Sequence, residues 1–344
     1  MNEMEIMRFD KILVIQLRQM GDILLCTPAL KALRTKFPGA QIAFLVDSSF
    51  EPLLKYNPDL NLVLTRNPTE LLEPFRTINR IRQFAPDLVI DYLANPRTAL
   101  LTLFSGAMTT LSYANKRRAF LYKIKAPSSG GYVAEEKLSL LKPLGVESKD
   151  LDLVFNYPAS AGAKARERLA SLGITERDFL VALDLFHKRP ARQWPVPNFI
   201  ELADRLAEKF DAKVLIICLP QNRHLAEQAM AQARRKHQLA SDLDLFELAA
   251  LIGHARLFLG NDAGTKHIAV SQKTPSFTLP GPSGPQWTPD SPLHQTMAVE
   301  LDCRPCSFHQ CPDPEHPCQN RLSPEAVFQK LSRFIEQTIR KPPA

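Results

Sequence analysis

Four groups of residues have types and spacings that could do chemistry. In LRQMGDILLCTPAL (17–30), behind the apolar run KILVIQ, Asp22 follows Gly21 and precedes an apolar helical pattern. A carboxylate at the C-terminal end of a strand is costly unless water, a partner or a substrate faces it, and that edge is where open α/β sheets bind ligands. There it could take a proton from a hydroxyl. A helix cap or a buried structural acid would show the same local pattern. In FLGNDAGTKHIAV (258–270) a strand ends at Gly260, and Asp262 stands before Ala263, Gly264 and a helix carrying His267. Asp262 reads as the N-cap of that helix. The free N–H groups and positive dipole end of the helix suit a phosphate; a plain cap with a surface histidine is the alternative.

In FHKRPARQWPVPNF (186–199), His187, Lys188, Arg189 and Arg192 lie between a strand end and a helix start. Cations there could clamp a diphosphate, or merely line a solvated turn. Trp194, before Pro195, reads as packing for the helix start. The run CRPCSFHQCPDPEHPC spaces Cys303, Cys306, Cys311 and Cys318 as C-x2-C-x4-C-x6-C, with His309 and His316 beside them. Thiolates at such spacing could form a tetrahedral zinc site, but a second C-x2-C is missing, and a proline-rich loop with packed free thiols is the better fit. Residues 92–134 add Arg97, Lys116, Arg117, Arg118, Lys123 and Lys125 with no acid among them, and with Phe120 and Tyr122 interleaved. That stretch suits an anionic acceptor or lipid headgroups; as support for nucleic-acid binding the interleaving is weak.

The elements that must position these groups alternate along the chain. KILVIQL, QIAFLVD and DLVIDYL are apolar runs of strand length. Between them, PALKALRTKF has helical spacing at Leu30, Leu33 and Phe37, with Thr27 and Pro28 as N-cap and first helical residue, and ELLEPFRTINRIRQF is a second helix. GYVAEEKLSLLKPLG closes this half as a helix. The pattern restarts with strands DFLVALDLF, AKVLIICL, RLFLGND and PSFTLPGP, and helices VPNFIELADRLAEKF, NRHLAEQAMAQARRK, DLFELAALIGHA and GTKHIAVSQ. Near-continuous apolar strands separated by helices imply parallel sheets covered on both faces. The expected organisation is a first domain over 1–158, a joining helical stretch at 159–172, a second domain over 173–322, and a C-terminal helix, 323–344, as a candidate to pack back on the first domain.

A chain of 344 residues is long for one core, which agrees with two domains. Its 43 Lys and Arg against 36 Asp and Glu leave a net charge of +7, a mild bias toward anionic partners that a solvated surface explains equally well. MNEMEIMRFDK has two glutamates and no apolar core, unlike a signal peptide. The most apolar stretch, TALLTLFSGAMTTL, is broken by Ser, Gly and Thr and reads as a buried helix, a turn and a strand. A cytoplasmic chain without disulfides is expected, with any membrane contact peripheral. Neither G-x-G-x-x-G nor G-x-x-x-x-G-K-[ST] occurs, which counts against dinucleotide oxidoreductases and P-loop enzymes. No D-x-D stands in a site loop, so no metal is expected to be essential for holding a diphosphate.

Taken together, KILVIQLRQMGDILLCTPALKALRTKFPGAQIAFLV, ARQWPVPNFIELADRLAEKF, FLGNDAGTKHIAVSQKTPSFTLPGPSGPQWTP and the cysteine-rich run before LSPEAVFQKL resemble glycosyltransferase family 9, the ADP-heptose:lipopolysaccharide heptosyltransferases. The resemblance spans most of the chain in the family's order. It implies a GT-B fold, α/β, with two Rossmann-like doubly wound parallel-sheet domains facing across a cleft. It implies inverting transfer of a heptose from an ADP-sugar to the inner core of lipopolysaccharide. Asp22 falls on the family's catalytic base. Asp262, Gly264, His267 and the cation Arg192 fall on its donor site, with Lys188, Leu243 and Ala263 on the same side. Arg18, Gly21, Arg97, Arg117 and Arg118 fall on the acceptor side. The implied partners are the ADP-sugar, the lipopolysaccharide core and lipid A, and the inner leaflet of the inner membrane, without nucleic acid. No cofactor is essential; magnesium stimulation and a structural zinc at the four cysteines stay open. Two departures stand out: Ala263 replaces the family's Thr or Ser, losing a hydroxyl, and Arg192 replaces its Lys, offering a bidentate fork. A transferase using another nucleotide sugar is the alternative within the fold, and a zinc-dependent nucleic-acid-binding protein is the alternative outside it.

Overall fold

The computed structural model describes residues 8–70 and 72–339. The chain divides into two compact units, Met1–Asn156 and Tyr157–Ala344.

In the first unit, strands β1 (Lys11–Ile15), β2 (Gln41–Asp47), β3 (Leu62–Arg66), β4 (Leu88–Asp91), β5 (Thr109–Tyr113) and β6 (Ile124–Ala126) form one parallel sheet in the order β3-β2-β1-β4-β5-β6. Helices α1 (Met20–Leu24) and α2 (Thr27–Lys36) follow β1, α3 (Glu73–Phe84) follows β3, α4 (Pro96–Leu103) follows β4, and α5 (Val133–Ser139) follows β6. Every residue of β1 after Lys11 is buried, as expected for a central strand covered on both faces. Leu13, Ile15, Leu17, Leu45, Val89 and Leu101 meet in one core cluster. The order reverses between β1 and β4, and the crevice beyond the carboxyl ends of such a pair is where doubly wound sheets bind ligands. The short helix bearing Asp22, α1, follows β1 at that point.

The second unit opens with α6 (Ala159–Ser171), the stretch expected to join the domains. Arg168 ties it into this unit through Glu247 (2.5 Å) and Asp242 (3.1 Å). Strands β7 (Phe179–Asp184), β8 (Ala212–Ile217), β9 (Gln238–Ala240), β10 (Leu257–Asn261), β11 (Ser276–Leu279) and β12 (His294–Thr296) form a second parallel sheet in the order β12-β11-β10-β7-β8-β9. Its helices are α7 (Val196–Phe210), α8 (Arg223–Met230), α9 (Leu245–His254), α10 (Gly264–Ser271), α11 (Pro317–Asn320) and α12 (Pro324–Phe334). The reversal lies between β7 and β10, so this crevice is framed by Asp184 and Asp262. Trp194 is fully buried, stacks edge-on to Phe199 at 4.8 Å and donates its indole N–H to the Leu322 carbonyl.

Several local expectations change. The C-terminal helix, offered to the first domain by the sequence, packs against α7 of its own unit, with Val327, Leu331, Phe334 and Ile335 in that core and Arg205 paired to Glu325. Residues 340–344 of that stretch lie outside the described residues. The α2 cap sits one residue early: Cys26 is the N-cap, Thr27 is already helical, and the Thr27 hydroxyl donates to the Leu24 carbonyl because α1 runs almost directly into α2. TALLTLFSGAMTTL does form a helix, a turn and a strand, but Leu100, Leu103, Phe104 and Met108 are exposed rather than buried. Among the described residues no helix is long and apolar enough to cross a membrane.

Candidate functional site

At the carboxyl edge of the second sheet, Asn261 fixes the geometry. Fully buried at the end of β10, it accepts a hydrogen bond from the Trp194 amide (2.9 Å) and donates to the Leu185 carbonyl (3.1 Å). It thereby stitches the loop after β7 to the end of β10. Gly260 is required one residue earlier, because a Cβ there would lie 2.8 Å from the Asp184 carbonyl oxygen. Asp262 does not cap the helix as the sequence suggests. Ala263 holds the N-cap position with no side-chain cap, and the Asp262 carboxylate pairs with Lys266 one turn along α10. Lys266 is fully buried and also donates to the Thr288 hydroxyl at 3.3 Å. Burial works against the Asp262 charge, but Lys266 and His267 outweigh it and hold the carboxyl below its usual range. Burial, reinforced by Lys266, pushes His267 down to about 3, so its imidazole is neutral.

Arg192 ends a short turn, Pro190–Arg192, in the loop after β7. Burial and the nearby Arg189 both weigh against its charge, while Asp262 favours it. Its Nε is buried without a hydrogen-bond partner, as is Nδ1 of His267. A half-buried guanidinium with an orphaned donor, beside a helix start, is set for an anion. His187 accepts from the Arg189 amide through Nδ1 (2.9 Å), and burial lowers its pKa. Lys188 is exposed in the same loop; Ala263 and Gly264 are half-buried at the start of α10. Leu243 is half-buried just before α9, beyond edge strand β9.

Three residues here escaped the sequence reading. Lys266 is one. Asp184, buried at the end of β7, accepts from the Thr265 hydroxyl at 2.6 Å, and burial pushes its carboxyl up to about 6. An acid ending an apolar strand is the signal that marked Asp22, so Asp184 was findable. Gln319 is fully buried with neither amide atom partnered, and a Cβ on Gly281 would strike its Nε2.

The cysteine-rich run supports this edge rather than gathering a metal. Among the described residues no three His, Cys, Asp or Glu side chains are grouped to hold an ion, so the zinc reading of Cys303, Cys306, Cys311 and Cys318 is not met. His316 instead donates from Nε2 to the Ala191 carbonyl (3.0 Å), the Ala191 amide donates to the His309 carbonyl (3.1 Å), and Arg304 donates to the Ser283 carbonyl (2.9 Å). Cys318 is buried, and burial pushes its thiol up to about 11.

The first unit's edge is built differently. Asp22 lies in the five-residue α1, its side chain half-exposed and, among the described residues, without a side-chain hydrogen bond. Gly21 beside it is buried and Arg18 is exposed. Beneath the loop, buried Gln16 donates to the Arg18 carbonyl (2.6 Å) and accepts from the Lys137 ammonium (3.3 Å). Lys137 is buried over the Tyr92 ring, 4.9 Å from its centroid, with no carboxylate partner among the described residues. Cys26 senses both charges: burial pushes its thiol up to about 11, Lys137 opposes that and Asp22 adds to it. The loop after β4 is held by Asp91, which accepts from Tyr122 (2.6 Å) and from the Leu93 and Ala94 amides. Asn95 then caps α4 through the Arg97 and Thr98 amides, leaving Arg97 exposed on its first turn. Arg117 is exposed and Arg118 half-buried in the β5–β6 loop. All the expected acceptor residues therefore stand at loops leaving the carboxyl ends of β1, β4 and β5.

Known proteins share this chain's family pattern and its fold. The sequence pattern of glycosyltransferase family 9 (heptosyltransferase) matches residues 75–316. Lipopolysaccharide heptosyltransferase 3 of Escherichia coli is 29% identical over 276 residues, covering 76% of this chain and 80% of the relative. Among solved structures, a family 9 glycosyltransferase from Veillonella parvula DSM 2008 superposes with a TM-score of 0.83 at 21% identity, covering 97% of this chain and 99% of that one. The E. coli ADP-heptose lps heptosyltransferase II superposes with a TM-score of 0.77 at 18% identity, covering 95% and 99%.

Proposed function

We propose, from the premise that this chain belongs to glycosyltransferase family 9, that it moves a heptose from an ADP-heptose to a sugar of the lipopolysaccharide inner core, with inversion. The chain is a glycosyltransferase of the heptosyltransferase kind. The observation that carries the donor reading is the half-buried Arg192 with its orphaned Nε beside the start of α10 and the Asp262–Lys266 pair. The second unit takes the donor and the first takes the acceptor.

Asp22 is the general base. A sugar hydroxyl is a poor nucleophile, and removing its proton as it attacks the anomeric carbon contributes ~10²–10⁴-fold. The carbon passes through an oxocarbenium-like state. The departing ADP gains negative charge, which Arg192 and the N–H groups opening α10 stabilise. These cations hold the diphosphate without an essential metal; magnesium is at most a stimulant. The acceptor is lipid-borne, which places the enzyme peripherally on the cytoplasmic face of the inner membrane. Ala263 favours a second reading within the family, transfer from a different nucleotide sugar, because its side chain offers no hydroxyl to the donor. The family match over residues 75–316 weighs against the nucleic-acid alternative. A thermal-shift screen tests the proposal: ADP and ADP-heptose should raise the melting midpoint by ligand linkage, whereas UDP-sugars and short RNA should not. A shift with UDP-sugars alone would replace the donor.

A further inference from the structure

Alpha-helix α4 carries an apolar face that the fold leaves in water. Leu100, Leu103 and Phe104 recur at the i, i+3, i+4 spacing of one helix face, while Thr98, Ala99, Leu101 and Thr102 are buried on the other side. Met108 follows in the turn into β5. Phe120 is exposed in the β5–β6 loop, whose Leu121 and Tyr122 pack with Ala94 and Ala99 at the start of α4. These five apolar side chains are each between 46% and 78% exposed. Single exposed leucines need no explanation, but a row along one helix does. The stripe is fixed in place: Arg82 of α3 donates to the Phe104 carbonyl at 2.9 Å.

The surrounding charge selects the occupant. Arg97 precedes Leu100 by three residues on α4, and Lys116, Arg117, Lys123 and Lys125 are exposed around Phe120. No acid occurs from 92 to 134. Two copies of this chain meeting through the same face would set these cations against one another, because a two-fold interface is self-facing. Anionic headgroups over an acyl interior complement both features at once.

We propose that the outer face of α4, with Met108 and Phe120, is the surface by which this enzyme docks on an anionic bilayer. Leu100, Leu103 and Phe104 enter the headgroup–acyl boundary, and the flanking cations meet lipid phosphates. The proposal rests on the reading of a lipid-borne acceptor and deepens it by naming the surface that meets the membrane.

Co-sedimentation with phosphatidylglycerol-containing vesicles tests it. The wild type should bind these vesicles and bind pure phosphatidylcholine weakly, and raising salt above about 0.15 M should release it. A Leu100→Ser, Leu103→Ser, Phe104→Ser variant should lose about tenfold or more in partitioning. Lys123→Glu with Lys125→Glu should lose binding less steeply and flatten the salt dependence. The melting midpoint and ADP affinity serve as folding controls. Transfer to a soluble core-oligosaccharide acceptor should survive in the triple Ser variant, while transfer to vesicle-borne acceptor falls. If that variant sediments like the wild type, or the wild type ignores anionic vesicles, the docking proposal is overturned. A wild-type dimer that the variant converts to monomer, with lipid binding unchanged, would assign the face to a second copy instead. Vesicle binding that follows the predicted pattern with no transfer to any core acceptor would leave docking in place and sink the acceptor reading.

Discussion

The two sheet edges solve the same problem in opposite ways. In the second unit, Asp262 is paired with a fully buried Lys266, and Arg192 Nε and His267 Nδ1 are buried with no partner among the described residues. In the first unit, Asp22 is half-exposed and, among the described residues, free of side-chain hydrogen bonds. A binding site gains from preorganised partners, because they cost no reordering when the ligand binds. A general base must keep its lone pair for the substrate proton, so a carboxylate already occupied would be a poor one. The edges are alike in one respect: among the described residues, each hides a charged group without an ion-pair partner, Lys137 in the first unit and Asp184 in the second. Buried unpaired charges destabilise a fold, and their place at both crevices points to function rather than packing.

The sharpest break in the comparison comes from the two aspartates. Asp22→Asn should lose about 10²-fold or more in kcat with ADP affinity unchanged, since on the proposed reading it removes only the base. Retention of more than about a tenth of kcat would mean that Asp22 is not the base. Asp262→Ala and Arg192→Ala should do the reverse and weaken ADP binding, by about 10- to 100-fold for Arg192, in line with loss of a charge-assisted hydrogen bond. Arg192→Ala should also lower kcat, because leaving-group charge grows in the transition state. Calorimetric titration settles it: unchanged ADP affinity in both variants would remove the donor site from this edge.

Much of this contrast was legible in the chain. The long apolar strands announced themselves, and both crevices followed from where their loops fell. Strands β3, β6, β9 and β12 escaped, because three of them have only three residues and all lie toward the sheet margins, where pairing rather than pattern defines them. Periodicity does not reveal the α4 stripe, because the polar residues of TALLTL, Thr98 and Thr102, fall on the buried side and its leucines on both sides. Lys266 and Lys137 look like ordinary surface lysines in GTKHIAV and AEEKLSL. Only tertiary packing buries them, and no local pattern reports it. The Asp262–Lys266 spacing of four was the one available hint, and it competed with an equally sound capping pattern.

Asp184 sharpens the comparison through pH. Its carboxyl is raised in the fold, from an ordinary value near 3.8 to about 6, by burial. The folded state therefore holds this proton more tightly than the unfolded chain. The associated stability is complete below the unfolded pKa and is lost as pH rises through about 6. A shift of that size is worth about 1–3 kcal/mol. Asp184→Asn keeps an acceptor for the Thr265 hydroxyl and removes the charge. Urea unfolding should find the variant more stable than wild type by about that amount at pH 7.5 and no more stable at pH 4. An equal gain at both pH values would show that the charge is not what destabilises the site.

Lys137 gives the smallest effect and the finest test. Among the described residues it has no carboxylate partner, yet it reaches the segment before α1 through Gln16, which holds the Arg18 carbonyl. If it were only packing, Met at this position would keep the volume and change nothing in catalysis. As a positioning residue it should behave otherwise. Removing an unpaired buried charge from an apolar setting should leave stability unchanged or raise it by up to about 3 kcal/mol. Freeing Gln16 and the loop should lower kcat by up to about tenfold, because a base displaced by even a fraction of an ångström loses its alignment with the hydroxyl. ADP affinity should not move, since the proposed donor residues belong to the second unit. Lys137→Arg should recover part of kcat by restoring a donor to Gln16. The decisive pattern is opposition, a stability that holds or rises while turnover falls; if both fall together in Lys137→Met, the ammonium is a structural support and the first edge owes its geometry to packing alone.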